Sequence, residues 1–289
     1  MISFRRKALF ISKFYNESKK IFCMKILFIG DISGSVGRKA VIRILPKLKK
    51  EKKVDLVIAN AENSAHGSGA TTQTIEELMT AGVDAMTMGD HAFARFKVSD
   101  IYDKYPIIRP ANFPEGAPGK GYIIIPYKKD KNILLINLIG RVFMKLDYDC
   151  PFRKFDEILA NINLPSNNIF AIIVDIHAEC TSEKIAFKHY VAQRAAAVLG
   201  THTHIMTADA EIISSGMAYI TDVGMVGYAD GSLGLDNEGI IKTFLTQIKY
   251  PHVLPKKGRA IFNSVIVDIN ERDGKAKSIK PITKFINIE

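Results

Sequence analysis

Short apolar runs alternate with stretches of helical period along most of this chain, and the alternation predicts its elements. Lys25 to Ile29 reads as a buried strand that runs out at Gly30-Asp31. Lys39 to Lys50 has helical period, with Pro46 expected to shorten or kink it. Val54 to Ile58 is a second strand, ending near Ala61-Glu62-Asn63, and Thr72 to Ala81 a helix with a threonine cap. Ala85 to Met88 is a third strand, ending at Gly89-Asp90-His91. This β-α-β-α-β rhythm implies parallel strands joined by right-handed crossovers.

Residues 106–121 are rich in Pro and Gly and read as a long loop. Tyr122 to Ile125 and Asn132 to Leu138 then form a predicted hairpin across Lys128–Lys131. Phe152 to Ile162 is helical, and Ile169 to Ile176 is a nearly continuous apolar strand ending at His177. Glu183 to Ala196 is a predicted helix, and Ala197 to Leu199 a strand running into Gly200-Thr201-His202-Thr203-His204. Further strands are expected near Glu211–Ile213 and Met217–Ile220. Ala260 to Ile269 alternates, Arg272-Asp273-Gly274 signals a hairpin, and Lys275 to Pro281 is its return strand. No internal repeat or linker interrupts residues 24–289, which read as one domain with an inserted lobe.

Composition changes this picture little. Hydrophobic residues make up 47% of 289 and charged residues 24%, which excludes a disordered chain. The net charge of +10 is uneven: residues 1–23 carry six Lys/Arg against the single acid Glu17. These residues read as an N-terminal extension outside the fold, with Met24 as the expected natural start. Lys13, Glu17, Lys19 and Lys20 interrupt any signal-peptide core. The milder positive field of the rest would attract phosphorylated substrates, but no basic stripe with interleaved aromatics supports a dedicated nucleic-acid surface. Cys23, Cys150 and Cys180 form no CxxC pair, which fits a reducing, cytoplasmic setting. No apolar run reaches the roughly 18–20 residues of a membrane span.

Candidate chemistry sits at the strand ends. Asp31, Glu62, Asn63, Asp90, His91, His177, His202 and His204 each follow a predicted strand, where open α/β sheets build their sites. Singly, each has an ordinary reading: Asp31 as a helix cap, Glu62-Asn63 as loop residues, His91 as a satisfied loop histidine, His177 as a core histidine. His202 and His204 carry more, because residues two apart in an extended chain face the same side. Carboxylate, amide and imidazole together suit Mn, Fe, Zn or Ni and tell against a thiolate site. Seven candidate ligands exceed what one open tetrahedral site needs, so two ions sharing a hydroxide nucleophile are expected.

With these residues in view, the chain resembles the YmdB-like branch of the calcineurin-type metallophosphoesterases. The resemblance rests on Phe28-Ile29-Gly30-Asp31, Ile58 to Asn63, Gly89-Asp90-His91, Arg109-Pro110-Ala111-Asn112, Asn137 to Phe143, Asp175 to Glu179, Thr181 to Lys184, Gly200 to His204 and Thr221 to Met225. It implies a four-layer α/β/β/α sandwich and metal-dependent hydrolysis of phosphodiesters, with 2′,3′-cyclic nucleotides or an RNA end as substrate and a homo-oligomer as a possible form. By matched position, Asp31, Asn63 and His204 bind one metal, Asp90, His177 and His202 the other, and Glu62 bridges them. His91 protonates the leaving oxygen. Fe or Mn are the first candidates, divalent or mixed-valence, with Zn also possible. Where the family usually carries Gly-Asn-His this chain has Asp90, which adds negative charge beside Glu62. Asn112, Arg141 and Thr181 are candidate substrate contacts, and Asp222 a candidate partner for the outer nitrogen of a ligating histidine. His66, His189 and His252 suggest only surface or helix positions.

Other classes compete. Asp90 admits a weakened, regulatory nucleotide binder on the same fold. Gly30, Gly34 and Gly37 after a strand suggest a phosphate-binding loop, but the GxxxxGK[ST] spacing is absent. An RNA-binding module would show steep salt dependence of affinity without metal.

Overall fold

The computed structural model describes residues 22–95 and 99–289. The expected N-terminal extension lies outside the described residues apart from Phe22 and Cys23. From there β1 (Cys23–Ile29) runs into β2 (Asp31–Ile32), α1 (Gly34–Lys52), β3 (Leu56–Asn60), α2 (Thr72–Thr80), β4 (Ala85–Thr87), α3 (Ser99–Lys104) and β5 (Ile107–Ile108). The middle of the chain forms β6 (Tyr122–Lys128), β7 (Lys131–Ile139), α4 (Pro151–Asn161), β8 (Ile169–His177), α5 (Thr181–Val191), β9 (Ala197–Thr201), β10 (Glu211–Ile212) and β11 (Ala218–Ile220). It closes with β12 (Met225–Tyr228), α6 (Asn237–Thr246), β13 (Gly258–Asn270) and β14 (Ala276–Ile288).

These strands form two sheets. One runs β2-β12-β13-β1-β3-β4-β5, with β14 also on β13; the other runs β10-β11-β9-β8-β7-β6. The β1-β3-β4-β5 and β7-β8-β9-β11 pairings are parallel, as the alternating rhythm requires. Strand periodicity explains the layering. Leu27 and Ile29 of β1 face Val41 and Leu45 of α1 and Ile75 and Leu78 of α2. Ile26 and Phe28, on the other face, meet Leu135, Ile173 and Leu199 of the second sheet. Ile136, Val174 and Ile176 on that sheet's outer face pack on Phe155 and Ile158 of α4 and Phe187 of α5. The result is the four-layer α/β/β/α sandwich. No helix among the described residues is long and apolar enough to cross a membrane.

Pro46 neither ends nor shortens α1, which continues to Lys52. Its ring lies on the exposed side of the helix, and Lys49, Lys50 and Lys52 in the last turn oppose the negative end of the helix dipole. α2 begins at a capping box in which the Thr71 side chain accepts from Thr74 N–H. Helix α5 stops at Val191, short of the expected Ala196, because Arg194 and Ala195 turn their N–H groups back onto the Val191 carbonyl and Ala196 joins the sheet edge at Ile172.

Candidate metal centre

The C-terminal ends of the parallel strands bring the predicted site residues to one edge of the sandwich. β1 and β2 are separated only by Gly30, and a Cβ on Gly30 would lie 1.8 Å from the Gly224 carbonyl oxygen. That close approach lets β12 wedge in beside β2, with Asp31 N–H donating to Gly224 at 3.1 Å, and it aims the Asp31 carboxylate into the site. β3 delivers Glu62 and Asn63, and β4 delivers Asp90 and His91. From the second sheet come His177 at the end of β8 and His202 and His204 just beyond β9.

Ligand atoms of Glu62, Asp90, His177 and His202 all lie within 4.8 Å of one another. His177 Nε2 is at their centre, 3.2 Å from Asp90 Oδ1, 3.3 Å from Glu62 Oε2 and 3.0 Å from His202 Nδ1. Across Glu62, Asn63 Nδ2 is 2.9 Å from Glu62 Oε1 and 3.2 Å from His204 Nε2. A half-turn of that amide would put Oδ1 between the same two groups, the orientation a cation requires. Asp31 completes the set: its Oδ2 accepts from His202 N–H at 3.2 Å and its Oδ1 is 3.9 Å from His177 Nδ1. His91 stands at the rim, Nδ1 2.9 Å from Asn63 Oδ1 and Nε2 3.7 Å from Asp90 Oδ2.

The donor set fits cations. Asp31 Oδ1 is buried with no hydrogen-bond partner, an arrangement that costs free energy unless a positive charge meets it. Gly89 cradles the centre, since a Cβ there would lie 2.2 Å from both Glu62 Oε2 and His177 Nε2. The protonation balance shows the same demand for positive charge. Burial pushes the Asp31 carboxyl up. Burial opposes ionisation of Glu62 and Asp90 too, but the facing histidines outweigh it and hold both below the usual range. His177, against its own burial, is raised to about 10 by Glu62, Asp90 and Asp31. A hydrogen bond to Glu62 lifts His91 above its ordinary value, with burial opposing.

The outer nitrogens are held by residues that sequence reasoning missed. Thr201 Oγ1 donates to Asp175 Oδ1 at 2.7 Å and accepts from His177 Nδ1 at 2.9 Å, so that Nε2 faces the centre. Burial raises the Asp175 carboxyl to about 7. His202 Nε2 meets Glu179 Oε2 at 3.2 Å, and His204 Nδ1 the Leu233 carbonyl at 3.2 Å. Asp222 therefore does not orient a ring nitrogen. Lys184 Nζ neutralises it at 2.8 Å, and its oxygens accept Thr203 N–H at 3.0 Å and Gly224 N–H at 2.8 Å, so it shapes the histidine loop through the backbone. The sequence did carry a hint: Lys184, Phe187 and Val191 share the buried stripe of α5, where a lone charge requires a partner.

Of the other candidates, Asn112 is consumed by structure. Its amide donates to the Ile139 and Asp149 carbonyls at 2.7 and 2.8 Å and accepts Ile139 N–H at 2.9 Å. Arg141 and Thr181 are exposed, and neither is among the residues lining the cleft over the candidate ligands. His66 and His252, in contrast, line that cleft.

Known proteins resemble this chain in sequence and fold. The family described as YmdB-like protein matches residues 27–282. A 2′,3′-cyclic-nucleotide 2′-phosphodiesterase of Bacillus subtilis is 46% identical over 262 residues, covering 90% of this chain and 96% of that protein. A crystal structure of a novel phosphatase from Mycoplasma pneumoniae superposes with a TM-score of 0.86 at 32% identity, over 93% of this chain and 95% of that one. A hypothetical protein from Thermus thermophilus superposes with a TM-score of 0.84 at 37% identity, over 91% of this chain and 99% of that one.

Proposed function

The chain belongs to the YmdB-like protein family, and on that premise we propose that it is a phosphodiesterase acting on 2′,3′-cyclic nucleotides at a two-metal centre. The observation that carries this reading is the gathering of Glu62, Asp90, His177 and His202 ligand atoms within 4.8 Å at the strand ends. Asp31, Asn63 and His204 stand beside them. The activity of the Bacillus relative supports the substrate class.

In this reading Asp31, Asn63 and His204 would hold one ion, and Asp90, His177 and His202 the other. Glu62 would serve both, since its two oxygens face opposite ways, Oε1 toward Asn63 and Oε2 toward His177. Carboxylate, amide and imidazole donors suit Fe or Mn, with Zn as a further candidate. The chemistry such a pair supplies is Lewis acidity toward phosphoryl oxygens and acidification of water. The chain's own part is to orient and to move protons. His91 keeps Nδ1 3.4 Å from Glu62 Oε1, which leaves Nε2 to hand a proton to the departing sugar oxygen. Thr201 and Glu179 fix the ring faces of His177 and His202. The three free cysteines suit a cytoplasmic setting.

The test is direct. Protein stripped with a chelator and reloaded with Mn²⁺ or Fe²⁺ is assayed on 2′,3′-cyclic AMP. Metal-dependent opening of the cyclic diester is the expected result. Loaded protein that turns over no phosphodiester refutes the assignment.

A further inference from the structure

The cleft over the ligands, ≈ 540 Å³ in volume, has a second wall that metal binding does not use. Two loops build it. The turn after β3 contributes His66, and residues 229–257, between β12 and β13, contribute Leu233, Leu235, His252 and Leu254. Both loops are fastened. Arg95 holds the turn, donating from Nε to the Ser68 carbonyl at 2.8 Å and from Nη2 to the Ala65 carbonyl at 2.7 Å. Asp236 N–H donates to the Val253 carbonyl at 2.9 Å. Leu254 sits so close that a Cβ on Gly34 would be 2.4 Å from its Cδ2. The Leu233 carbonyl reaches His204, so this wall is anchored to the metal ligands themselves.

A cleft of this size falls in the range of small-molecule sites, about 300–1,000 Å³, and a phosphoryl group alone fills little of it. Away from the candidate ligands the lining is leucine carbon and two exposed imidazoles with no ligand role, completed by Ser33, Gly67, Thr203 and Glu179. That combination suits a planar heteroaromatic base and its sugar: apolar carbon against the ring face, and imidazole that stacks or hydrogen-bonds. We propose that His66 and His252, over the leucine shelf, form the nucleoside subsite and select nucleotides over simpler phosphate esters. The proposal rests on the phosphodiesterase reading above.

The experiment compares ligands on the Mn²⁺-loaded full chain by calorimetry, using adenosine 3′-monophosphate and inorganic phosphate. Wild type should bind the nucleotide more tightly than phosphate. In His66→Ala/His252→Ala the nucleotide should lose about tenfold in affinity, the scale of one base-stacking contact, while phosphate affinity stays put. KM for 2′,3′-cyclic AMP should rise by the same factor with little change in kcat. Equal losses for nucleotide and phosphate, or no loss for either, overturn the subsite. The two failures are separable: absent hydrolysis by wild type counts against the phosphodiesterase reading, whereas an unselective wall shows in the binding ratio alone. Both histidines are exposed, so their removal does not threaten the fold.

Discussion

Replacing Lys184 with methionine tests how the histidine loop is held. Lys184 and Asp222 are both fully buried, with Nζ 2.8 Å from Asp222 Oδ2 and 2.7 Å from the Thr201 carbonyl. Methionine keeps most of the side-chain volume, so packing changes little. The Asp222 carboxylate, however, loses the one ion-pair partner it has among the described residues, in a dry environment, which costs about 3–5 kcal/mol. Urea unfolding of the chelator-treated protein reads this without linkage to bound metal. With a slope near 3 kcal/mol/M the midpoint should fall by about 1–1.7 M. Lys184→Met/Asp222→Asn removes the unpaired charge and should recover about half of the loss. Because Asp222 also fixes Thr203, between His202 and His204 at φ of 99° and 66°, the single variant should also bind Mn²⁺ more weakly. A loss below about 1 kcal/mol, or a double variant no better than the single one, refutes the reasoning.

Thr201→Val removes the hydroxyl between His177 and Asp175 and should weaken Mn²⁺ binding about 10–100-fold by calorimetry; unchanged affinity would show that ring orientation does not depend on it. His91→Ala should lower kcat by about 10²–10⁴ while metal content stays full, and a variant that loses metal instead would make His91 a ligand. Asp90→Asn removes a unit charge next to Glu62 and should weaken Mn²⁺ binding by about ten- to a hundredfold while raising turnover per bound metal; tighter binding would contradict the charge argument. Glu271 supplies the pH test. Burial opposes its ionisation, but Lys128, Tyr127 and Lys131 outweigh it and depress its carboxyl. A depressed folded pKa stabilises above the unfolded value of about 4.3 and loses that effect as the pH falls through the folded one. Glu271→Gln should thus cost about 2 kcal/mol at pH 7, with its gap from wild type narrowing below about pH 4; a gap independent of pH would sink the idea.

Much of this was legible in the chain because two rules act over short ranges. A buried strand of five or more residues announces itself, and a polar residue where the apolar run stops marks the sheet's functional edge. Asp31, Glu62 and His177 obey both, and Asp90 only the second, since β4 has three residues. What the sequence hid falls into three kinds. β2, β5 and β12 have only two to four residues, too few to show a period, yet β12 is what turns Asp31 inward. α6 buries none of its residues, so no inward stripe exists to reveal it, although the stretch that carries it supplies Leu233, Leu235, His252 and Leu254 to the cleft. Contacts such as Thr201 with His177, or Lys184 with Asp222, join residues that only tertiary packing brings together. His252 looked ordinary for that reason: its place on the cleft wall depends on how 229–257 folds back over Gly34.

The ligand set also divides by sheet. Asp31, Glu62, Asn63 and Asp90 all come from the first sheet, and His177, His202 and His204 all from the second. One layer therefore presents three carboxylates and an amide, the other three imidazoles. Each proposed ion takes ligands from both layers. Bound metal would then act as a staple at one edge of an interface that Phe28, Ile58, Leu135 and Ile173 already close with apolar contacts. Those contacts pack the interface away from the site, so metal adds no packing there, only its binding free energy to the stability of the whole. Its effect should concentrate at the open edge, where three acids face three bases and the loops after β9 carry two left-handed histidines. Hydrogen exchange by local opening should accordingly slow on Mn²⁺ loading in residues 201–206 and 89–92; exchange there that ignores Mn²⁺ would refute the staple.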